Sequence, residues 1–208
     1  MTFNWIFSFV VPVVDEGFPL FCISTVGGLG FDEASIGQVL SLAGILFVIG
    51  QYVIYTFMIN QLGVYRTITT SCFLGLVPLS SIPLSVWLIR TEKSKLILFT
   101  FLSVIIGFTK IMICNCFSSL AIATNKSVPK EQRAKMNGIN LLGSSISKGL
   151  GPIFAGFLVP LSFSGHLPFL SPETGSVFIF GVVGIMGLIT TFVAVQLKNE
   201  YESIDYYY

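Results

Sequence analysis

Phe9-Val10-Val11-Pro12-Val13-Val14-Asp15-Glu16-Gly17-Phe18-Pro19-Leu20-Phe21 places two carboxylates and two prolines in the middle of an otherwise apolar run. The run extends over residues 4–28, long enough to cross the hydrocarbon core of a bilayer, which needs about 20 apolar residues. An ionised side chain at the centre of such a helix costs roughly 2.5–3.5 kcal/mol. It persists only where water or an opposite charge reaches it.

Five more apolar stretches of the same length follow, at about 36–59, 67–89, 96–121, 137–161 and 176–197. Short polar separators divide them: 30–33, 60–66, 90–95, 125–135 and 164–175. The pattern predicts an all-α membrane protein with six transmembrane helices, successive helices running antiparallel. Composition agrees. Of 208 residues, 53% are hydrophobic and 10% charged, whereas a soluble domain carries about 25% charged residues. The mean hydropathy is +0.86, so lipid is the solvent partner. A net charge of +1 leaves no basic footprint for nucleic acid. Met1 is followed at once by apolar sequence with no basic segment, so the first stretch is expected to be retained rather than cleaved.

Lys and Arg in short loops orient the spans. With a cytoplasmic N-terminus, Arg66, Lys126, Lys130, Arg133, Lys135 and Lys198 lie inside and Arg90, Lys93 and Lys95 outside. Both termini are then expected in the cytoplasm, with 198–208 a short acidic tail. The sequon Asn125-Lys126-Ser127 would face the cytoplasm and stay unmodified. Plasma and vacuolar membranes are not distinguished by these features.

Four ionisable residues fall inside spans: Asp15 and Glu16 in the first, Lys110 in the fourth and Lys148 in the fifth. Pro12, Asp15, Glu16 and Pro19 recur at intervals of three and four and share one side of a helix. Pro19 frees the carbonyl of Asp15 and Pro152 frees that of Lys148, because proline cannot donate to the residue four before it. Each charge thus sits beside weakened backbone. Two readings stay open. Asp15 or Glu16 forms a structural salt bridge with Lys110 or Lys148, or a carboxylate gains and loses a proton in a wet passage. Asp15 and Glu16 lie about 100° apart around the helix and are not expected to share a role.

The fifth span carries a stripe of Asn137, Asn140, Ser144, Ser147/Lys148, Gly151 and Ala155. Small residues allow close helix packing, and the same residues would line a polar cavity. Lys148 favours the cavity. Gly181, Gly184 and Gly187 carry no polar companions and read as packing. Cys22, Cys72, Cys114 and Cys116 all lie in apolar stretches and read as inert thiols; Cys114 and Cys116 point to nearly opposite sides of a helix. With His166 the only histidine, no metal or cofactor site is expected. No serine–histidine dyad or paired catalytic aspartates can be assembled, so no enzyme is expected.

Asp15-Glu16-Gly17-Phe18-Pro19-Leu20-Phe21 with Ser24-Thr25 and Gly27-Gly28-Leu29-Gly30-Phe31 resembles the seventh helix of fungal members of the major facilitator superfamily related to plant zinc-induced facilitator-like transporters. Asn125-Lys126-Ser127-Val128, Gln132-Arg133 and Asn137-Gly138-Ile139 resemble their loop before the eleventh helix, with Arg133 in the cytoplasmic loop. Ser147-Lys148-Gly149-Leu150-Gly151-Pro152 resembles the eleventh helix itself. The resemblance implies the C-terminal half of a major facilitator fold, two inverted three-helix repeats. It implies proton-coupled secondary transport of a small organic solute by alternating access, with an N-terminal six-helix half or a second copy as partner. The first helix of each repeat lines the central cavity in that superfamily, which implies a cavity position for Asp15, Glu16 and Lys110; the polar stripe of the fifth span adds Asn140, Ser144 and Lys148, with Pro19, Gly151 and Pro152 expected at helix breaks. A non-transporting membrane subunit, or an inactive fragment, is the alternative reading.

Overall fold

The computed structural model describes residues 1–90, 95–164 and 174–205, without the side chains of Arg90 and 198–205. Lys93, His166, Phe169-Leu170 in the separator before the last stretch, and the three tyrosines that end the acidic tail lie outside the described residues. The elements are α1 (Thr2–Ile23), α2 (Glu33–Leu76), a 3-10 turn (Val77–Ser81), α3 (Leu84–Arg90), α4 (Lys95–Lys126), α5 (Arg133–Phe163) and α6 (Gly175–Asp205). Among the described residues there are five helical runs long and apolar enough to cross a membrane, with 33–89 counted as one.

Several boundaries differ from expectation for local reasons. The first span is helical only to Ile23. Beyond it Gly27 and Gly30 take positive φ of 74° and 62°, and the chain turns. Asp32 then caps α2, its Oδ1 accepting from the Ser35 amide at 3.2 Å. Hydrogen bonds from Ser35 hold this exposed carboxyl below the usual carboxylate range. The expected separator at 60–66 is helical apart from Gly63, and the expected third span ends its regular helix at Leu76 because Pro78 and Pro83 interrupt it. Arg133 opens α5 rather than sitting in a loop, and α6 continues through Asp205 into the acidic tail.

Gly63 has φ 74° and ψ 179°, a region open in practice only to glycine. The Thr67 hydroxyl donates to the Met58 carbonyl at 3.2 Å. In a straight helix nine residues span about 13.5 Å, so the chain must fold back here. Packing on α4 agrees. Ser103 donates to the Val39 carbonyl and Gln51 to Asn115, so the arm before Gly63 runs parallel to α4. Cys72 meets Cys116 and Thr109 donates to the Gly75 carbonyl, so the arm after it runs antiparallel. A Gly63→Val chain is expected to lose about 1–3 kcal/mol of stability. Gly37→Ala, with open space around the added methyl, should change little. Thermal unfolding in detergent reads the difference.

Between helices in lipid there is no hydrophobic drive, and contact depends on close van der Waals fit. Glycines supply it: Gly107 lies against Ala43, Gly151 against Pro12, and Gly187 against Leu76. The result is two tight parallel pairs, α1 with α5 and the first arm of α2 with α4, while α6 lies against the second arm of α2 and the turn after it. Phe7 and Phe117 interlock α1 with α4, and Phe21 and Phe180 interlock α1 with α6. Val48, Tyr52 and Phe57 on α2, Phe157 on α5 and Phe192 on α6 are exposed. Large apolar side chains facing outward in such numbers mark a lipid-facing or partner-facing surface.

Candidate functional site

α1, α4 and α5 carry the polar side chains that meet on one open face. Lys110 Nζ lies 2.9 Å from Asp15 Oδ1, joining α4 to α1. Of the pairings the sequence left open, this is the one formed. Glu16, one residue on and about 100° around the helix, is exposed and has no ion pair among the described residues. The side chains of Lys110 and Asp15 are 42% and 43% exposed, so the pair borders open space instead of being sealed in the core. That space, about 290 Å³, is walled by Val11, Phe47, Ile113, Cys114 and Phe117 together with the ion pair.

A second hollow of about 230 Å³ adjoins it and shares Phe117 as a wall. Lys148 projects from α5 with Nζ 5.3 Å above the Phe117 ring, a cation–π arrangement. The Asn4 amide donates to Asn140 Oδ1 at 2.8 Å across α1 and α5, and Ser8 lines the same hollow. Ser8 is completely buried, and its hydroxyl has no hydrogen-bond partner among the described residues. Ser144 lines the same hollow, with its hydroxyl donating back to the Leu141 carbonyl at 3.0 Å. Its proton is spent on its own helix. Asn137 lies further toward the end of α5 and donates to Asn125 at the end of α4.

Pro19 and Pro152 both lie inside their helices, one turn after Asp15 and Lys148. Gly151 is buried where α5 crosses α1, so it serves the crossing. Arg133 is the first residue of α5, several turns before Pro152. Asn4, Ser8 and Phe117 were not singled out from sequence. The signal was present, since Asn4, Ser8, Val11 and Asp15 recur at helical spacing, as do Lys110, Cys114 and Phe117.

Cys22, Cys72 and Cys116 are buried and Cys114 half-buried, all as free thiols, with the Cys72 and Cys116 sulfurs 3.5 Å apart. Among the described residues no group of three histidine, cysteine or acidic side chains could hold a metal ion.

Two curated proteins of Arabidopsis thaliana are similar to the chain. One, a probable peptide/nitrate transporter, is 27% identical over 90% of this chain and 40% of its own length. The other, Protein ZINC INDUCED FACILITATOR-LIKE 1, is 31% identical over 80% of this chain and 34% of its own length. The chain therefore spans well under half of the relatives it matches. No solved structure matches it significantly. The family model of the Major Facilitator Superfamily matches residues 1–203, nearly the whole chain, and this integral membrane protein belongs to that superfamily.

Proposed function

We propose that the chain is the C-terminal six-helix half of a proton-coupled secondary transporter that moves a small organic solute by alternating access. The observation that carries this reading is the Asp15–Lys110 pair, joined across two helices yet bordering open space. A lysine beside a carboxylate in a wet groove can release it when the carboxylate takes a proton. The groove can then change its charge and its shape together.

The packing supports two inverted three-helix repeats, the first made of α1 and the two arms up to α3, the second of α4, α5 and α6. Exchanging the repeats turns the α1–α5 pair into α4 with the first arm of α2. Those are the two tight parallel pairs observed, and α6 with the second arm of α2 maps onto itself. Six spans place both termini on one side, taken as the cytoplasm from the loop charges. The partners are the lipid bilayer, protons, the solute, and a second six-helix half or a second copy that closes the open groove. Asp15 is the proton carrier, Lys110 its counter-ion, and Asn140 and Lys148 the solute-facing groups.

The test is reconstitution into liposomes, alone and with an upstream six-helix half, under an imposed pH step. An internal pH dye should report proton movement that depends on added solute. Solute movement indifferent to the pH step rejects proton coupling. No movement under any gradient rejects transport.

A further inference from the structure

We propose that Lys148, Asn140 and Ser8 form a subsite for a single carboxylate, and that Phe117 carries the flat apolar body attached to it. The inference deepens the transporter reading by naming the class of solute, and rests on that reading for its location.

Asp15 and Lys110 neutralise one another at 2.9 Å. Among the described residues no carboxylate pairs with Lys148, whose ammonium rests over the Phe117 ring. Glu16 lines neither hollow, so the walls of the two hollows together present one uncompensated positive charge. A cation–π contact engages one side of an ammonium, while its three N–H groups remain able to donate.

The neighbours nearest Lys148 add donors, beside the Asn4 and Asn137 side-chain oxygens that line the same hollow. The Asn140 oxygen is occupied by the Asn4 amide at 2.8 Å, which leaves the Asn140 NH2 group to donate. Ser8 is fully buried, lines the same hollow and has no partner. A buried hydroxyl left unpaired costs about 1–3 kcal/mol, so an acceptor arriving here gains that hydrogen bond. An ammonium, an amide and a hydroxyl around one hollow fit a ligand that accepts from all three.

Charge count sets the class of anion. One lysine matches one negative charge. A phosphate dianion would leave a second charge uncompensated beside a ring and apolar walls, which is costly. Phe117 lines both hollows, so a ring attached to the carboxylate can lie against it and extend toward Val11 and Ile113. A cationic solute is opposed by Lys148.

Trp5 gives a local readout. It packs against Gly143 on α5, next to Asn4 and one turn from Asn140; a Trp87→Phe background leaves it as the single tryptophan. The full chain in detergent micelles is titrated with benzoate, benzylamine and benzyl phosphate while Trp5 emission is followed. Benzoate should give a saturable change and benzylamine none. Lys148→Met should weaken benzoate by about tenfold or more, the scale of a lost charge-assisted hydrogen bond. Lys148→Arg should keep most of the affinity, and Ser8→Ala should weaken it severalfold; circular dichroism confirms that each variant is folded. Phe117→Leu should weaken benzoate more than acetate in competition.

Absence of a saturable benzoate response overturns the proposal, as does equal binding of benzylamine or unchanged affinity in Lys148→Met. Tighter binding of benzyl phosphate than of benzoate overturns the single-charge assignment. Binding in micelles needs no gradient and no second half. Lost transport with intact benzoate binding therefore condemns the transporter reading, and lost binding condemns this subsite.

Discussion

Asp15→Asn abolishes proton-coupled solute movement, with a fall of at least about tenfold, while leaving the folded chain stable to within about 1 kcal/mol. The two halves of this expectation come from the same number. Both side chains are more than two-fifths exposed, and an ion pair open to water to that extent is worth about 0–1 kcal/mol. Were it sealed in the core, removing one partner would cost about 3–5 kcal/mol, and function could not be separated from folding. Lys110→Met should also suppress coupling, because a carboxylate without its counter-ion no longer alternates between two partners. The double variant Asp15→Asn/Lys110→Met should be no more stable than either single one and should not recover coupling. Liposome flux under a pH step and thermal unfolding in detergent supply the two readouts. A coupled flux unaffected by Asp15→Asn would remove Asp15 from the mechanism.

Gly151→Val should damage the fold itself. A Cβ at this position would sit 2.7 Å from Pro12 Cβ and 3.0 Å from the Phe9 carbonyl oxygen. Neither atom can yield as the end of a flexible chain does: one belongs to a ring, the other to helix backbone. α1 and α5 must separate, and the close contacts along their crossing weaken together. Overpacking of this kind costs about 1–3 kcal/mol, and lipid supplies no compensating hydrophobic term between the helices. Gly149→Val, two residues earlier with nothing within 4 Å of the added atom, carries the same propensity cost and should be tolerated. The thermal midpoints in detergent, compared between the two variants, separate packing from helix propensity. Equal loss in both would show that the crossing does not depend on Gly151.

Apolar run length made the membrane class legible, because a span must exceed a physical thickness and few soluble sequences imitate that. Asp15, Lys110 and Lys148 were legible for the complementary reason: charge in such runs is costly enough to need a cause. Which charges meet was not legible. Asp15 and Glu16 are adjacent in sequence, and only the placement of α4 beside α1 decides that Asp15 takes Lys110. Ser144 stands in the wall of the hollow with Lys148, but where its proton goes was not legible, because a hydroxyl in a helix can turn back onto its own carbonyls and spacing alone does not show whether it has. Ser8 and Phe117 were missed although they stand at helical spacing from Asp15 and Lys110. A serine and a phenylalanine in an apolar span look like packing until a second helix brings a lysine to the same hollow. The reversal at Gly63 was anticipated as a seven-residue separator, yet one glycine at positive φ accomplishes it with helix on both sides.

The central claim is that one face of this bundle meets water and the opposite face meets lipid. Single cysteines placed at Asn140, Lys148 and Ser118, and at Ile185 and Phe192 on the outer side of α6, in a background with Cys22, Cys72, Cys114 and Cys116 replaced by alanine, test it most directly. In membranes, a charged, membrane-impermeant maleimide should label the first three and spare the two on α6. Labelling of Ile185→Cys and Phe192→Cys with protection of the groove positions would contradict the account.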